Sequence, residues 1–344
     1  MKCLTVRKWS FVLVAVALLG TVQIWGQDSK QSQTAPQFVL KAGATGAAGG
    51  FVDALYFGFK NTVEKNSNGR IRVDLYLGGA LGGERELLEM VQQGMADVTL
   101  VSNSTYSIFD SKWAILDMPY FFASWNEAHK FLDGQGGEVL AGSLLKKGIR
   151  ILSFGDSSVR QISNNKREIL RLEDVKGLKI RVPETPALME WFRLVGADPT
   201  VLPFPELYPA MQQGVVDGQE NGMMGGALMK FGEVQKFWTD TNHAFAFVPV
   251  GISEITWKKL PPDLQKVVAD AAIDAANVER KSISEYEAKA IKDLKAAGVK
   301  VTSLNDKERE RFVASAKPIY AKFASQIGID FMNQAFALLG RNWK

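Results

Sequence analysis

Cysteine and histidine are almost missing from this chain. Of 344 residues, one is cysteine (Cys3) and two are histidine (His129 and His243). A disulfide framework and a Cys/His zinc site are both excluded, and no metal is expected. An excess of one charge is missing too: 41 Lys and Arg face 37 Asp and Glu, for a formal +4. Lys2, Arg7 and Lys8 supply positive charge at the very start, and no acid precedes Asp28. Beyond that leader the balance is near neutral, so no nucleic-acid partner is expected. Catalytic signatures are absent as well: there is no G-x-S-x-G, no H-E-x-x-H and no G-x-x-x-x-G-K-[ST]. The glycines from Gly43 to Gly50 are spaced G-x-x-G-x-x-G, which fits a tight strand-to-helix turn better than a dinucleotide fingerprint. No cofactor is expected. What remains is 46% apolar and 23% charged, an ordinary balance for a globular protein of about two domains.

The first residues read as a targeting signal. Basic Met1–Lys8 precedes the apolar run FVLVAVALL (Phe11–Leu19), and Gly26 offers a small residue before a cut. A signal peptide over residues 1–26 is therefore expected, which would export the chain to the periplasm. Cys3 lies ahead of the apolar run, so it cannot serve as a lipid-attachment cysteine after it. An uncleaved anchor is the alternative, although Phe11–Trp25 is short for a span of ~20 residues. Residues 27–37 (QDSKQSQTAPQ) are polar and read as a flexible segment.

The mature chain alternates strand and helix. Strands are expected at Phe38–Ala42, Ile71–Leu77, Asp97–Val101, Ile149–Phe154, Lys179–Val182 and Thr200–Leu202. Between them, the stripe Phe51, Leu55, Phe59, Val63 predicts a helix, as do Glu84–Gln93, Glu138–Lys147, Ala187–Val195 and Glu206–Gln213. From Pro262 onward the chain is helix-forming, interrupted at Val299–Thr302. This order means α/β layers. One string occurs twice, 120 residues apart: E-L-x4-Q-Q-G-x2-D at Glu86–Asp97 and at Glu206–Asp217. Each copy reads as a helix ended by a left-handed glycine, with an Asp opening the next strand. Each also follows an Ile-Arg-Val strand, Ile71–Val73 and Ile180–Val182. Two related α/β lobes with a ligand in the cleft between them is the architecture this implies.

An enzyme would need an acid and a base in that cleft, and only Glu84, Glu220 and His243 offer themselves. His243 reads as a hydrogen-bonded structural residue, and His129, in EAHKFL, as a helix-surface or interface residue.

Several segments then resemble one family. They are Leu81-Gly82-Gly83-Glu84-Arg85, Asp117-Met118-Pro119-Tyr120, Leu172 to Pro183, Pro203-Phe204-Pro205-Glu206-Leu207-Tyr208, Gln213 to Asn221, and Phe231 to Lys236 followed by Thr241-Asn242-His243. In this order they resemble the DctP-type extracytoplasmic solute-binding proteins of tripartite ATP-independent periplasmic (TRAP) transporters, over about residues 38–330.

The resemblance implies a periplasmic-binding-protein fold, with two lobes joined by two crossing strands and a long interlobe helix. The expected division is lobe I over 38–157 plus 247–285, lobe II over 158–246 plus 286–330, and a C-terminal tail over 331–344. It implies a binding protein with no catalytic step. The ligand would be a small organic acid, delivered to integral-membrane TRAP permease subunits that run on a sodium gradient. An accessory periplasmic protein is a further partner it allows. A ligand-sensing or docking protein that binds a neutral hydrophobic molecule is the alternative.

Arg181 matches the family's carboxylate-binding arginine, and a guanidinium fork suits a carboxylate with two parallel bonds. Arg160 matches a second arginine, whose other reading is a hinge salt bridge to an acid such as Glu84. Asn221 matches an amide that orients the ligand, and Phe204 an aromatic wall. Gly222 stands where the family usually has proline. Thr45 and Ser102 replace an Asn and an acid of sialate-binding members, which argues against a polyhydroxylated sugar acid. Phe204, Trp191, Phe245 and Phe247 are candidate walls for a hydrophobic or aromatic acid, the last three equally at home in the core.

Overall fold

The computed structural model describes residues 35–344, so the expected signal peptide and most of the segment over 27–37 lie outside the described residues. Nine strands form one mixed sheet. They are β1 (Phe38–Gly43), β2 (Ile71–Tyr76), β3 (Val98–Leu100), β4 (Ile149–Asn164), β5 (Lys179–Val182), β6 (Asp198–Val201), β7 (Gly218–Asn221), β8 (Phe237–Ser253) and β9 (Lys300–Thr302). The helices of the first half are α1 (Val52–Asn66), α2 (Glu84–Gln93), α3 (Trp125–Leu132), α4 (Gln135–Leu145), α5 (Pro186–Leu194) and α6 (Leu207–Gln212). Those that follow are α7 (Met223–Leu228), α8 (Glu254–Trp257), α9 (Pro262–Ala296), α10 (Asp306–Ala314), α11 (Lys317–Ile327) and α12 (Ile329–Leu338).

Strand order is β2-β1-β3-β8-β4-β7-β5-β6, with β9 beside β8. The parallel trio β2-β1-β3 is mirrored by the parallel trio β6-β5-β7, and the long antiparallel pair β4 and β8 runs between them. The two lobes thus share a sheet, crossed by two strands that serve both. Along β8, alternation sends Phe245 and Phe247 into one core and Val248, Val250 and Ile252 into the other. α9, about 52 Å long at 1.5 Å per residue, packs on α1 and α7. Its small buried residues Ala271, Ala272, Ala275 and Ala276 allow close approach, with Ala275 against Gly58 of α1.

The repeated string has the same role in both copies. α2 ends at Gly94 (φ 73°) and α6 is followed by Gly214 (φ 71°). Met95 N–H then donates to Met90 O at 2.8 Å, and Val215 N–H to Ala210 O at 2.9 Å. Asp97 exchanges bonds with Lys41 of β1, accepting its N–H at 2.8 Å and donating to its carbonyl at 2.9 Å. Asp217 does the same with Lys179 of β5, at 3.0 and 2.8 Å. Hence β5 is the counterpart of β1, and the shared Ile-Arg-Val of β2 and β5 does not mark equivalent strands. The segment expected as a tail is largely α12, whose Phe336 packs on Phe121 with ring centroids 5.2 Å apart.

Candidate ligand-binding cleft

A cleft opens at the carboxyl ends of β1, β3, β5, β6 and β7, where open α/β sheets place their ligands. It holds about 690 Å³ of space free of protein atoms, its open mouth included. All seven residues singled out from sequence line it: Thr45, Glu84, Ser102, Arg160, Arg181, Phe204 and Asn221. Each is set there by local structure. Thr45 follows β1. Glu84 opens α2. Ser102 follows β3 and caps the 3-10 turn Asn103–Ile108. Arg181 lies in β5, and Asn221 ends β7.

Arg181 is 2% exposed and has no acidic partner within 4.0 Å among the described residues. Its Nε–H donates to Leu202 O at 2.8 Å, which leaves the Nη edge for the cleft. Burial pulls its pKa down to about 10, with Arg160 adding to the effect and Glu220 and Glu84 opposing it. The guanidinium stays charged at neutral pH. Phe204 sits 6.0 Å from its carbon, ring centroid to Cζ.

Arg160 lives differently. Its Nε and Nη2 grip the Glu220 carboxylate at 2.5 and 2.6 Å, and Nη2 also donates to the Glu220 carbonyl at 3.0 Å. The acid that pairs with it is Glu220, not Glu84. Glu84 instead accepts hydroxyls from Thr105 at 2.7 Å and Thr45 at 3.2 Å. Behind the pair, His243 is wholly buried, with Nδ1 2.9 Å from Thr241 Oγ1 and Nε2 3.2 Å from Glu220. Burial holds its pKa below the usual imidazole value, against the pull of Glu220. Burial works against ionised Glu220 too, but Arg160 and His243 outweigh it and lower its pKa. Glu220 and His243 do not line the cleft, so they cannot act there as acid and base.

Asn221 Oδ1 accepts the Gly222 N–H at 2.9 Å, which turns its amide NH2 group toward the cleft beside Gly225. Glycine at 222 has a local cause. A Cβ there would stand 2.1 Å from Ser158 Cβ, and proline would also lose the N–H that fixes Asn221.

Phe204 is the one aromatic wall anticipated correctly. Trp191, Phe245 and Phe247 belong to the core, with Trp191 stacked on His243 at 5.1 Å. Phe51, Tyr56, Leu228 and Met229 line the cleft unanticipated. Tyr56 falls beside the Leu55–Phe59 stripe of α1 and reads from sequence as core. His129 is not at the site: its Nε2 meets the Asp156 carboxylate at 2.8 Å, tying α3 to the middle of β4. Among the described residues no helix is long and apolar enough to cross a membrane.

Two lobes on shared strands, a cleft at the strand ends and no acid–base pair within it define a solute-binding protein rather than an enzyme. The chain matches the family described as bacterial extracellular solute-binding protein, family 7 (DctP), over residues 53–326, and it belongs to that family. It is similar to a solute-binding protein of Verminephrobacter eiseniae, 35% identical over 78% of this chain and 80% of the relative. It is similar also to a TRAP periplasmic solute-binding protein from Polaromonas sp. JS666 bound to D-erythronate, with TM-score 0.83, 34% identity, and coverage of 87% of this chain and 98% of that one. A TRAP periplasmic solute-binding protein from Sulfurospirillum deleyianum with bound succinate matches with TM-score 0.83 and 31% identity, covering 88% and 99%.

Proposed function

We propose that this protein is the periplasmic solute-binding subunit of a sodium-gradient-driven TRAP transporter, exported by residues 1–26 as a signal peptide. It binds one small organic acid between lobes 38–157 plus 247–285 and 158–246 plus 286–330, and delivers it to the membrane permease. One observation carries this reading: Arg181, a buried guanidinium without a carboxylate partner, faces an open cleft. Such a group is costly until an anion arrives, so an acid gains what the protein lacks. The Asn221 amide stands ready to donate to the same carboxylate, and Arg160 offers Nη1, which has no partner among the described residues. Phe204, Phe51, Leu228 and Met229 take an apolar part of the ligand, which supports an acid with a hydrophobic or aromatic flank.

The test is direct. Denature the purified protein, identify what it releases by mass spectrometry, and titrate that compound back. A carboxylic acid at near-unit stoichiometry is expected. A neutral molecule released in its place refutes the carboxylate anchor.

A further inference from the structure

The cleft has more positive charge than it can use. Two guanidinium groups line it, Arg160 and Arg181, and among the described residues no lysine does. Arg160 is already matched by Glu220 in a bidentate buried pair. Glu84 brings a second carboxylate to the wall itself, and no cation lies within 4.0 Å of it among the described residues. His243 is held neutral by burial and adds nothing. The balance is therefore closed before any ligand enters: two cations, two anions. One carboxylate on Arg181 leaves the site with one net negative charge, carried in part by Glu84. A second ligand carboxylate would meet no free cation there. It would lie in a desolvated cleft against Glu84, where like charges repel strongly.

Resting on the acid-binding reading above, we propose that this cleft selects monocarboxylates and rejects dicarboxylates, and that Glu84 is the residue that enforces the choice. The group facing Glu84 is a hydrogen-bond donor, most simply a hydroxyl on the acid. A carboxylate with Thr45 and Thr105 already donating to it has room for one more donor and none for an anion. The structure thus assigns the site a hydroxylated monocarboxylate with an apolar flank.

Four acids of four carbons separate the terms: butyrate, 2-hydroxybutyrate, succinate and malate. Malate is 2-hydroxybutyrate with its terminal methyl replaced by a carboxylate, so the pair isolates one charge. Affinities would be measured by isothermal titration calorimetry at pH 7.5, on the parent and on Glu84→Gln, which keeps an acceptor for the threonine hydroxyls. In the parent, 2-hydroxybutyrate should bind at least tenfold tighter than malate, and tighter than butyrate. In Glu84→Gln that ratio should shrink at least fivefold, because malate gains while 2-hydroxybutyrate does not. A Glu84 that only braces the loop would weaken all four alike and leave the ratio unchanged, which overturns its role. Malate or succinate binding more tightly than its monocarboxylate partner in the parent overturns the charge assignment and leaves acid binding intact. No heat and no thermal shift from any of the four, or from longer hydroxylated and aromatic acids, overturns acid binding as well.

Discussion

Arg181 and Arg160 are the same residue type, both buried in one cleft, and they answer to opposite rules. Arg160 is neutralised by Glu220, so removing it strands a buried carboxylate. Arg160→Ala should lower unfolding free energy by about 3–5 kcal/mol, seen as a fall in the urea midpoint. Arg181 has no such partner. Its pKa fall from 12.5 to about 10 corresponds to roughly 3 kcal/mol against the charged form, more than the about 1 kcal/mol its hydrogen bond to Leu202 contributes. Arg181→Met should therefore leave the ligand-free melting temperature unchanged or higher, while cutting acid affinity at least a hundredfold. Equal destabilisation by the two variants would contradict this division. Asp117 gives the pH signature. Burial pushes its carboxyl up to about 7, against the Thr185 hydrogen bond and the charge of Arg160. Between about pH 4 and 7 the folded chain keeps a proton that the unfolded chain has released, so stability falls as pH rises through that window. Asp117→Asn should flatten the fall, and parallel denaturation curves for parent and variant would refute it. The ligand side of the site was legible in sequence because residue type carries chemistry. Glu220 as the partner of Arg160 was not, since pairing across β4 and β7 depends on register.

At the scale of elements, legibility followed the source of each residue's burial. α1 and α2 announce themselves by apolar stripes, and the twin Gln-Gln-Gly helix ends were visible because left-handed glycines and paired aspartates are local chemistry. β4 was expected to end at Phe154 and runs to Asn164. Its second half, DSSVRQISN, is polar, because it faces the hinge and cleft instead of a hydrophobic layer. β8 was not anticipated at all: Pro249 and Gly251 interrupt a pattern that tertiary pairing nonetheless holds straight. The crossing of β4 over β7 fixes another detail. Gly222→Ala puts a Cβ 2.1 Å from Ser158 Cβ and 2.2 Å from its Oγ. Overpacking of this kind costs about 1–3 kcal/mol, and here it also moves Asn221 off the cleft. Both stability and affinity should drop. Adding Ser158→Gly removes the obstruction and should restore most of the stability, which a double-mutant cycle in urea would reveal as a coupling. Additive losses would mean that the two residues do not press on one another.

For the whole molecule, the register shifts of the β4–β8 pair, between Asp156 and Ser158 and again between Arg160 and Ile162, fall where the lobes are expected to divide. Strands irregular at that point can bend without breaking the ladders on either side, so closure should be a rotation about it. The rims meet at contacts that touch no ligand. Arg85 of α2 reaches Glu184, just beyond β5, at 3.0 Å. Thr185 donates to Asp117 at 3.0 Å. If closure contributes to affinity, the rim pair must be linked to binding, since whatever favours the closed state favours the acid. Arg85→Glu turns an attraction into a repulsion between exposed charges, a small effect that salt screens. Acid affinity should fall about two- to fivefold at low salt, with the pocket unaltered. Adding Glu184→Arg should restore it by recreating the pair in reverse. The loss should fade in 0.5 M salt, roughly, where the Debye length is a few ångströms. Small-angle scattering should show the radius of gyration shrinking on ligand addition in the parent, and needing more ligand to shrink in Arg85→Glu. An Arg85→Glu protein with unchanged affinity at low salt would mean that the rims do not meet in the bound state, and would place the closing force in the cleft alone.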